Sequence, residues 1–169
     1  MKKTLLIMVA ALALQVGTAF ATPVIDLAPQ QSALSLSAHG GDRSNDFSLT
    51  TQLTPTFAIG FQHVDWNNGG SMNDFFGQFY LDEKGQTRLI LGNRTFSSES
   101  KMIVGVAATM PLADQWTAYG ALLGAGSSHE FDLGANYKLT DTALLNFEYR
   151  SVSDHGSRNG MGIGLTTTF

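Results

Sequence analysis

Gly160-Met161-Gly162-Ile163-Gly164-Leu165-Thr166-Thr167-Thr168-Phe169 closes the chain. Met161, Ile163, Leu165 and Thr167 fall on one parity; Gly160, Gly162, Gly164, Thr166 and Thr168 fall on the other. A strand turns successive side chains to opposite faces, so this stretch has one apolar face and one small or polar face. Its last residue is aromatic. The same rhythm, sought upstream, decides the fold.

It recurs along the chain. Leu34, Leu36 and Ala38 alternate with Ser35, Ser37 and His39, and Phe47, Leu49, Thr51 and Leu53 with Ser48, Thr50, Gln52 and Thr54. Phe57, Ile59 and Phe61 alternate with Ala58, Gly60 and Gln62, in a strand running to Trp66. Phe75, Gly77, Phe79 and Leu81 alternate with Asp74, Phe76, Gln78 and Tyr80; Leu89 and Leu91 alternate with Arg88, Ile90, Gly92 and Arg94. Met102, Val104, Val106, Ala108 and Met110 alternate with Ile103, Gly105, Ala107 and Thr109. Trp116 to Ala125 is strand-like, without two distinct faces. Phe131, Leu133, Ala135, Tyr137 and Leu139 alternate with Glu130, Asp132, Gly134, Asn136 and Lys138, and Leu145, Phe147 and Tyr149 with Asn146, Glu148 and Arg150.

Turn chemistry separates the segments: Gly40 to Asn45, Pro55, Asn67-Asn68-Gly69-Gly70, Asp82 to Gly85, the polar loop Ser97 to Lys101, Pro111 to Gln115, Gly126 to His129, Thr140-Asp141-Thr142 and Asp154 to Asn159. No stretch holds a helical period, which excludes βαβ units. The expectation is an all-β, antiparallel, up-and-down barrel of about ten strands, or eight if 33–40 and 116–125 stand outside it.

The amino terminus reads as an address. Lys2 and Lys3 precede an apolar run, Leu5 to Leu14, and Thr18-Ala19-Phe20-Ala21 ends in Ala-x-Ala. That is the layout of a cleaved secretory signal peptide; the run is too short to span a bilayer. The expected organisation is a signal peptide at 1–21, a periplasmic lead-in at 22–31 and a transmembrane barrel at 32–169. Loss of Lys2 and Lys3 takes the formal charge from −4 to −6, which gives no support for nucleic-acid binding. The absence of cysteine excludes a disulfide-stapled scaffold and any thiolate site. No later apolar run has the length of a transmembrane helix, so a membrane form has to be a closed barrel, which satisfies every backbone group within lipid.

Alternation alone does not say which face is inside. The polar faces are rich in Ser, Thr, Gln, Asn and Gly, and charged residues make up only 14% of the chain, unlike a solvated surface. Aromatics fall near segment ends: Trp66, Phe75, Phe96 and Phe131 towards one rim, Phe57, Tyr80, Trp116, Tyr137 and Phe169 towards the other. Two aromatic girdles fit the two interfaces of a bilayer. With the apolar face outward, the lumen holds Asp74, Arg88, Arg94, Glu130, Asp132, Lys138, Glu148 and Arg150. Charges in so narrow a space have to be paired or hydrated. Parity pairs Arg88, Arg94 and Arg150 with Glu130, Asp132 or Glu148, so ion pairs filling the lumen are expected ahead of a selective filter.

A strand ending on an aromatic such as Phe169 resembles the last strand of Gram-negative outer-membrane barrels. The resemblance implies a segment read by the barrel-assembly machinery. Residues 116–169 carry a second likeness. Tyr119-Gly120, then Phe131-Asp132-Leu133-Gly134-Ala135-Asn136-Tyr137-Lys138-Leu139-Thr140-Asp141, then Phe147-Glu148-Tyr149-Arg150 and the final Phe169 most resemble YfaZ-like proteins. This implies a porin-like protein in contact with outer-membrane lipid and brings no catalytic residue with it.

Some small barrels are enzymes, and parts of their reactive constellations recur here. His63-x-Asp65, with Asp74 near, resembles the rim residues of omptin-type proteases, whose strands are much longer. His155-Gly156-Ser157 resembles the His-x-Ser of lipid A deacylases, but no Glu follows to orient the base, so the triad logic fails. His39 and His129 stand alone near turns, and no metal-ligand spacing occurs. A palmitoyltransferase-like barrel needs an amphipathic leading helix that Thr22 to Gln31 does not supply. The expectation is a barrel without catalysis, cofactor or metal: a narrow channel or structural barrel, or, as the alternative, one that binds an envelope partner through its loops. Short loops favour the first.

Overall fold

The computed structural model describes residues 24–82, 84–96, 99–153 and 156–169. Within them ten strands close into one antiparallel barrel. They are β1 (Ser32–His39), β2 (Ser44–Thr54), β3 (Phe57–Trp66), β4 (Ser71–Tyr80), β5 (Thr87–Phe96), β6 (Glu99–Ala113), β7 (Trp116–Ala125), β8 (Ser128–Thr140), β9 (Ala143–Ser153) and β10 (Ser157–Thr168). Each strand pairs with its neighbours in sequence, and β1 closes on β10. The two weakly patterned segments are β1 and β7, both in the wall, which settles the count at ten. The seam is held beyond the strands as well: Ser32 and Phe169 exchange both backbone hydrogen bonds, at 2.8 and 2.9 Å. Closure leaves no sheet edge unpaired.

The two ends of the barrel differ. The rim that carries both termini has two-residue turns at Pro55-Thr56, Asp114-Gln115 and Asp141-Thr142. Each follows a β-bulge, at Gln52/Thr54, Pro111/Ala113 and Lys138/Thr140. A bulge adds local twist, which lets strands curl into a tight turn. Pro111 therefore lies within β6, paired with Thr117, and not in the turn; beside a bulge its missing N–H is tolerated. At the opposite rim Gly69 and Gly70 take left-handed conformations (φ 96° and 95°) that side chains disfavour. The polar loop expected at 97–101 is shorter, since β6 begins at Glu99.

Sidedness is the reverse of a soluble barrel. Leu36, Leu49, Phe75, Met102, Leu122, Leu133 and Ile163 are exposed on the outer wall, while Gln62, Asp74, Arg94, Glu130, Glu148 and Arg150 are buried inside. The girdle reading needs correction at three positions. Trp66 points inward and packs with Val64, Met72 and Phe96, and Tyr80 points inward, its hydroxyl donating to Gln52 Oε1 at 2.9 Å. Strand parity decides this: Trp66 shares its face with Gln62, Phe96 with Arg94 and Tyr80 with Gln78.

The segment ahead of β1 does not trail outside the barrel. Gln30 adopts a positive φ of 67° and donates its N–H to Gln52 O. There the chain turns back, and Val24 is buried in the lumen among Phe76, Ile90, Ala107, Tyr119 and Ala121. The signal-peptide reading at 1–21 and His155 lie outside the described residues.

Candidate functional site

The lumen is where the chain's buried charges meet. Turn and register place Asp74 on β4 opposite Arg94 on β5, and Asp132 on β8 opposite Arg150 on β9. Arg94 Nε donates to both Asp74 oxygens, at 2.8 and 3.1 Å, and Arg150 Nε approaches Asp132 at 3.3 Å. These hairpin pairs are joined across the lumen by Glu130. One of its oxygens accepts from Arg94, and the other lies 2.8 Å from Arg150 Nε. Arg150 also reaches Asp46 on β2 at 2.5 Å, and Gln62 donates to the same Asp46 oxygen at 3.1 Å. One charged layer therefore links β2, β4, β5, β8 and β9.

On β10, Gly160 is the register partner of Arg150 and Gly162 that of Glu148. Gly162 leaves the space that the His39 ring fills, 3.6 Å from Glu148. A Cβ at Gly162 would come within 2.4 Å of the His39 ring. Tyr119 donates its hydroxyl to Glu148, and its own ring occupies the space above Gly134.

Towards the terminal rim a neutral belt follows. Ser35 bonds Thr166 at 2.8 Å, Thr166 donates to Asn146 at 2.9 Å, Asn146 donates to Asn136 at 2.8 Å, and Asn136 donates to the Val24 carbonyl at 2.9 Å. Thus β1, β10, β9 and β8 are tied to the leading segment. On the other side Arg88 donates to the Ile25 carbonyl at 2.8 Å and pairs with Asp26, which also accepts from Thr109 at 3.1 Å.

Of the charged positions expected in the lumen, Asp74, Arg94, Glu130, Asp132, Glu148 and Arg150 lie together in its middle. Arg88 is buried near the terminal rim, and its ionic partner is Asp26, not Glu130, Asp132 or Glu148. Lys138 shares the inward parity but sits at the bulge, half exposed at the mouth, 2.8 Å from Asp141. Sequence reasoning passed over Asp46 and Asp26, and it read His39 as standing alone near a turn where the structure brings it to 3.6 Å from Glu148. Parity with Ser48 and Ser37 was the available signal for Asp46 and His39.

The omptin-like constellation does not assemble. His63 points away from the lumen and bonds Asn73 at 2.8 Å, while Asp74 faces inward on Arg94. Among the described residues no group of three or more acidic, His or Cys side chains is placed to hold a metal ion. The lumen is largely filled. A cavity of about 30 Å³ lies beside Val24, Asp74, Phe76 and Asp132. A second, of about 140 Å³, opens at the terminal rim beside Ile25, Asp26, Asp114 and Lys138.

No family model matches the chain, and no curated protein matches it. Solved structures do. KdgM porin in complex with disordered oligogalacturonate is similar at a TM-score of 0.53 and 6% identity, over 82% of this chain and 99% of that one. KdgM porin alone gives 0.51 and 6% over the same shares. The N-terminal β-barrel domain of Pseudomonas aeruginosa OprF gives 0.47 and 10%, over 83% of this chain and 98% of that one. At such identity the likeness to the two KdgM structures is one of fold: a small closed β-barrel.

Proposed function

We propose that this chain is an outer-membrane β-barrel of the porin-like kind, without catalysis, whose lumen is closed at rest by its own ion pairs. The observation that carries the reading is the inverted sidedness. Large apolar side chains stand exposed around the outer wall, and the charges are buried inside. Water penalises such an exterior, whereas a bilayer solvates it. Strands of about ten residues, tilted as barrels require, match the apolar thickness of a membrane.

Export through a cleaved signal peptide, and assembly read from the strand that ends at Phe169, complete this reading. Of known families the carboxy-terminal hairpins resemble YfaZ-like proteins most. Short connections at both rims offer little surface for an envelope partner, which favours the closed channel or structural barrel over an interaction barrel. KdgM was solved with an acidic oligosaccharide. Here the middle of the lumen presents Asp46, Asp74, Glu130, Asp132 and Glu148 against Arg94 and Arg150, so a polyanion is not the fitting solute.

Spin labels at positions 133 and 148 test the membrane reading. A lipid-soluble quencher reaches 133 and spares 148 if it holds; the reverse pattern rejects it. Planar-bilayer recording of the purified protein tests closure, with small or absent conductance expected.

A further inference from the structure

We propose that Val24–Asp26 is a displaceable self-plug over a chamber in the lumen that admits small cations and excludes anions. The proposal rests on the membrane-barrel reading above.

Three observations carry it. First, the strap separates two spaces. Val24 lines the inner cavity together with Asp74 and Asp132, and Ile25 and Asp26 line the cavity at the terminal rim. The strap thus forms part of the wall of each space. Second, the strap is docked, not woven into the wall. It contributes no strand residue. Its holding contacts among the described residues are the Arg88 and Asn136 bonds to its carbonyls, the Asp26 contacts with Arg88 and Thr109, and the packing of Val24 and Ile25, both buried. It swings from a turn at Ala28–Gln31 in which Gln30 holds a left-handed conformation. A non-glycine residue disfavours that conformation, so the hinge opposes the docked state that the contacts favour.

Third, the chamber behind the strap is acidic. Among the described residues five carboxylates, those of Asp46, Asp74, Glu130, Asp132 and Glu148, face two guanidiniums, those of Arg94 and Arg150, in the middle of the lumen; Lys101, in register with Arg94 and on the inward face, is paired with Glu99 at 3.2 Å and leaves the carboxylate excess in place. Arg88 is matched by Asp26 on the strap itself. An excess of buried carboxylate calls for protons or cations to neutralise it. A small ammonium ion entering from the terminal rim meets that demand, and an anion adds to the repulsion.

The test uses the native absence of cysteine. Ala121→Cys places one thiol beside Val24 in the lumen, where Ala121 is buried. It is probed in lipid with two thiosulfonate reagents of similar size, one bearing an ammonium and one a sulfonate. With the native strap, labelling is slow. Adding Asp26→Asn together with Arg88→Gln, which removes the latch and leaves the net charge at the rim unchanged, should speed the ammonium reagent at least tenfold and leave the sulfonate reagent slow. If that variant does not fold, Ala107→Cys, in the same cluster, replaces Ala121→Cys. Rates unchanged by the latch substitutions in a barrel that keeps its β-sheet circular dichroism would overturn the plug. Equal rates for the two reagents would overturn the cation preference. A protein whose position 133 escapes the lipid quencher refutes the membrane reading, and the plug with it.

Discussion

His39 and Glu148 approach to 3.6 Å across a strand that separates them in the sheet. His39 belongs to β1 and Glu148 to β9, and β10 runs between them. Both residues are in register with Gly162. A side chain there would stand in the space the two use.

Gly162→Ala should therefore destabilise the barrel by about 1–3 kcal/mol, the usual range for overpacking a filled interior. The added Cβ meets the His39 ring at 2.4 Å, whereas one at Gly120 meets its nearest atom at an ordinary 3.6 Å. Gly120→Ala is the matched control and should be near neutral. Urea unfolding of the two variants in lipid separates them; equal midpoints would show that the ring gives way freely.

Arg94 is buried between two carboxylates. Arg94→Met leaves Asp74 facing Glu130 with its bidentate partner gone, and should cost about 3–5 kcal/mol, as expected when one member of a buried ionic cluster is removed. Adding Asp74→Asn should recover part of that loss. A double-mutant cycle measures the coupling. Additive effects would mean that water already neutralises the pair.

Leu133 is 53% exposed on the outer wall, and Leu139, also exposed, lies at the end of the same strand near the terminal rim. Leu133→Arg should cost roughly 2–4 kcal/mol and Leu139→Arg about 0–1 kcal/mol, because the penalty for a charge on the lipid face falls from the midplane to the interface. Similar costs at the two positions would count against a bilayer around this wall.

The hairpin-local part of the lumen was legible from the chain. A short turn plus period two places Asp132 beside Arg150, as expected, and Asp74 beside Arg94, a partner left out of the expected set although no knowledge of closure was required to find it. The contacts that cross the barrel were not. Arg150 on β9 and Asp46 on β2 meet although β10 and β1 lie between them in the wall, and linear spacing carries no such information. Trp66 and Phe96 misled because position along a strand suggested a girdle, while parity, the stronger constraint, turned both inward. The strap was missed for another reason. Val24 to Asp26 has no periodicity, and only the space inside the finished barrel gives it a place.

Asp82 lies in the β4–β5 turn, outside the wall. Its carboxylate accepts from the backbone N–H of Gln86 at 3.1 Å, of Thr87 at 2.5 Å and of Lys84 at 2.9 Å. Those bonds, Gln86 first, hold its pKa below the ordinary aspartate value. The group is favoured ionised in the fold, so its support of the turn is complete above the unfolded-state pKa and is lost as pH falls through the depressed one. The Thr87 amide resonance should titrate with a midpoint below that of an unstructured aspartate, and Asp82→Asn should abolish the transition. A midpoint at or above the ordinary value would mean that the turn opens in solution.

Phe169 is 69% exposed and its backbone makes both seam bonds to Ser32. Phe169→Ala keeps those bonds and removes only the ring, so the folded barrel should lose no more than about 1 kcal/mol, well short of what a fully buried aromatic contributes. If the terminal aromatic is what the assembly machinery reads, the yield of folded barrel in the outer membrane should fall far more than this small change in stability allows. Refolding of the purified variant in detergent should be nearly normal. The contrast lies between two measurements on one variant: yield in cells and unfolding midpoint in vitro. A variant that reaches the membrane as well as the wild type would remove the assembly role. One that is equally impaired in detergent would instead make the ring a structural clamp on the seam between β1 and β10.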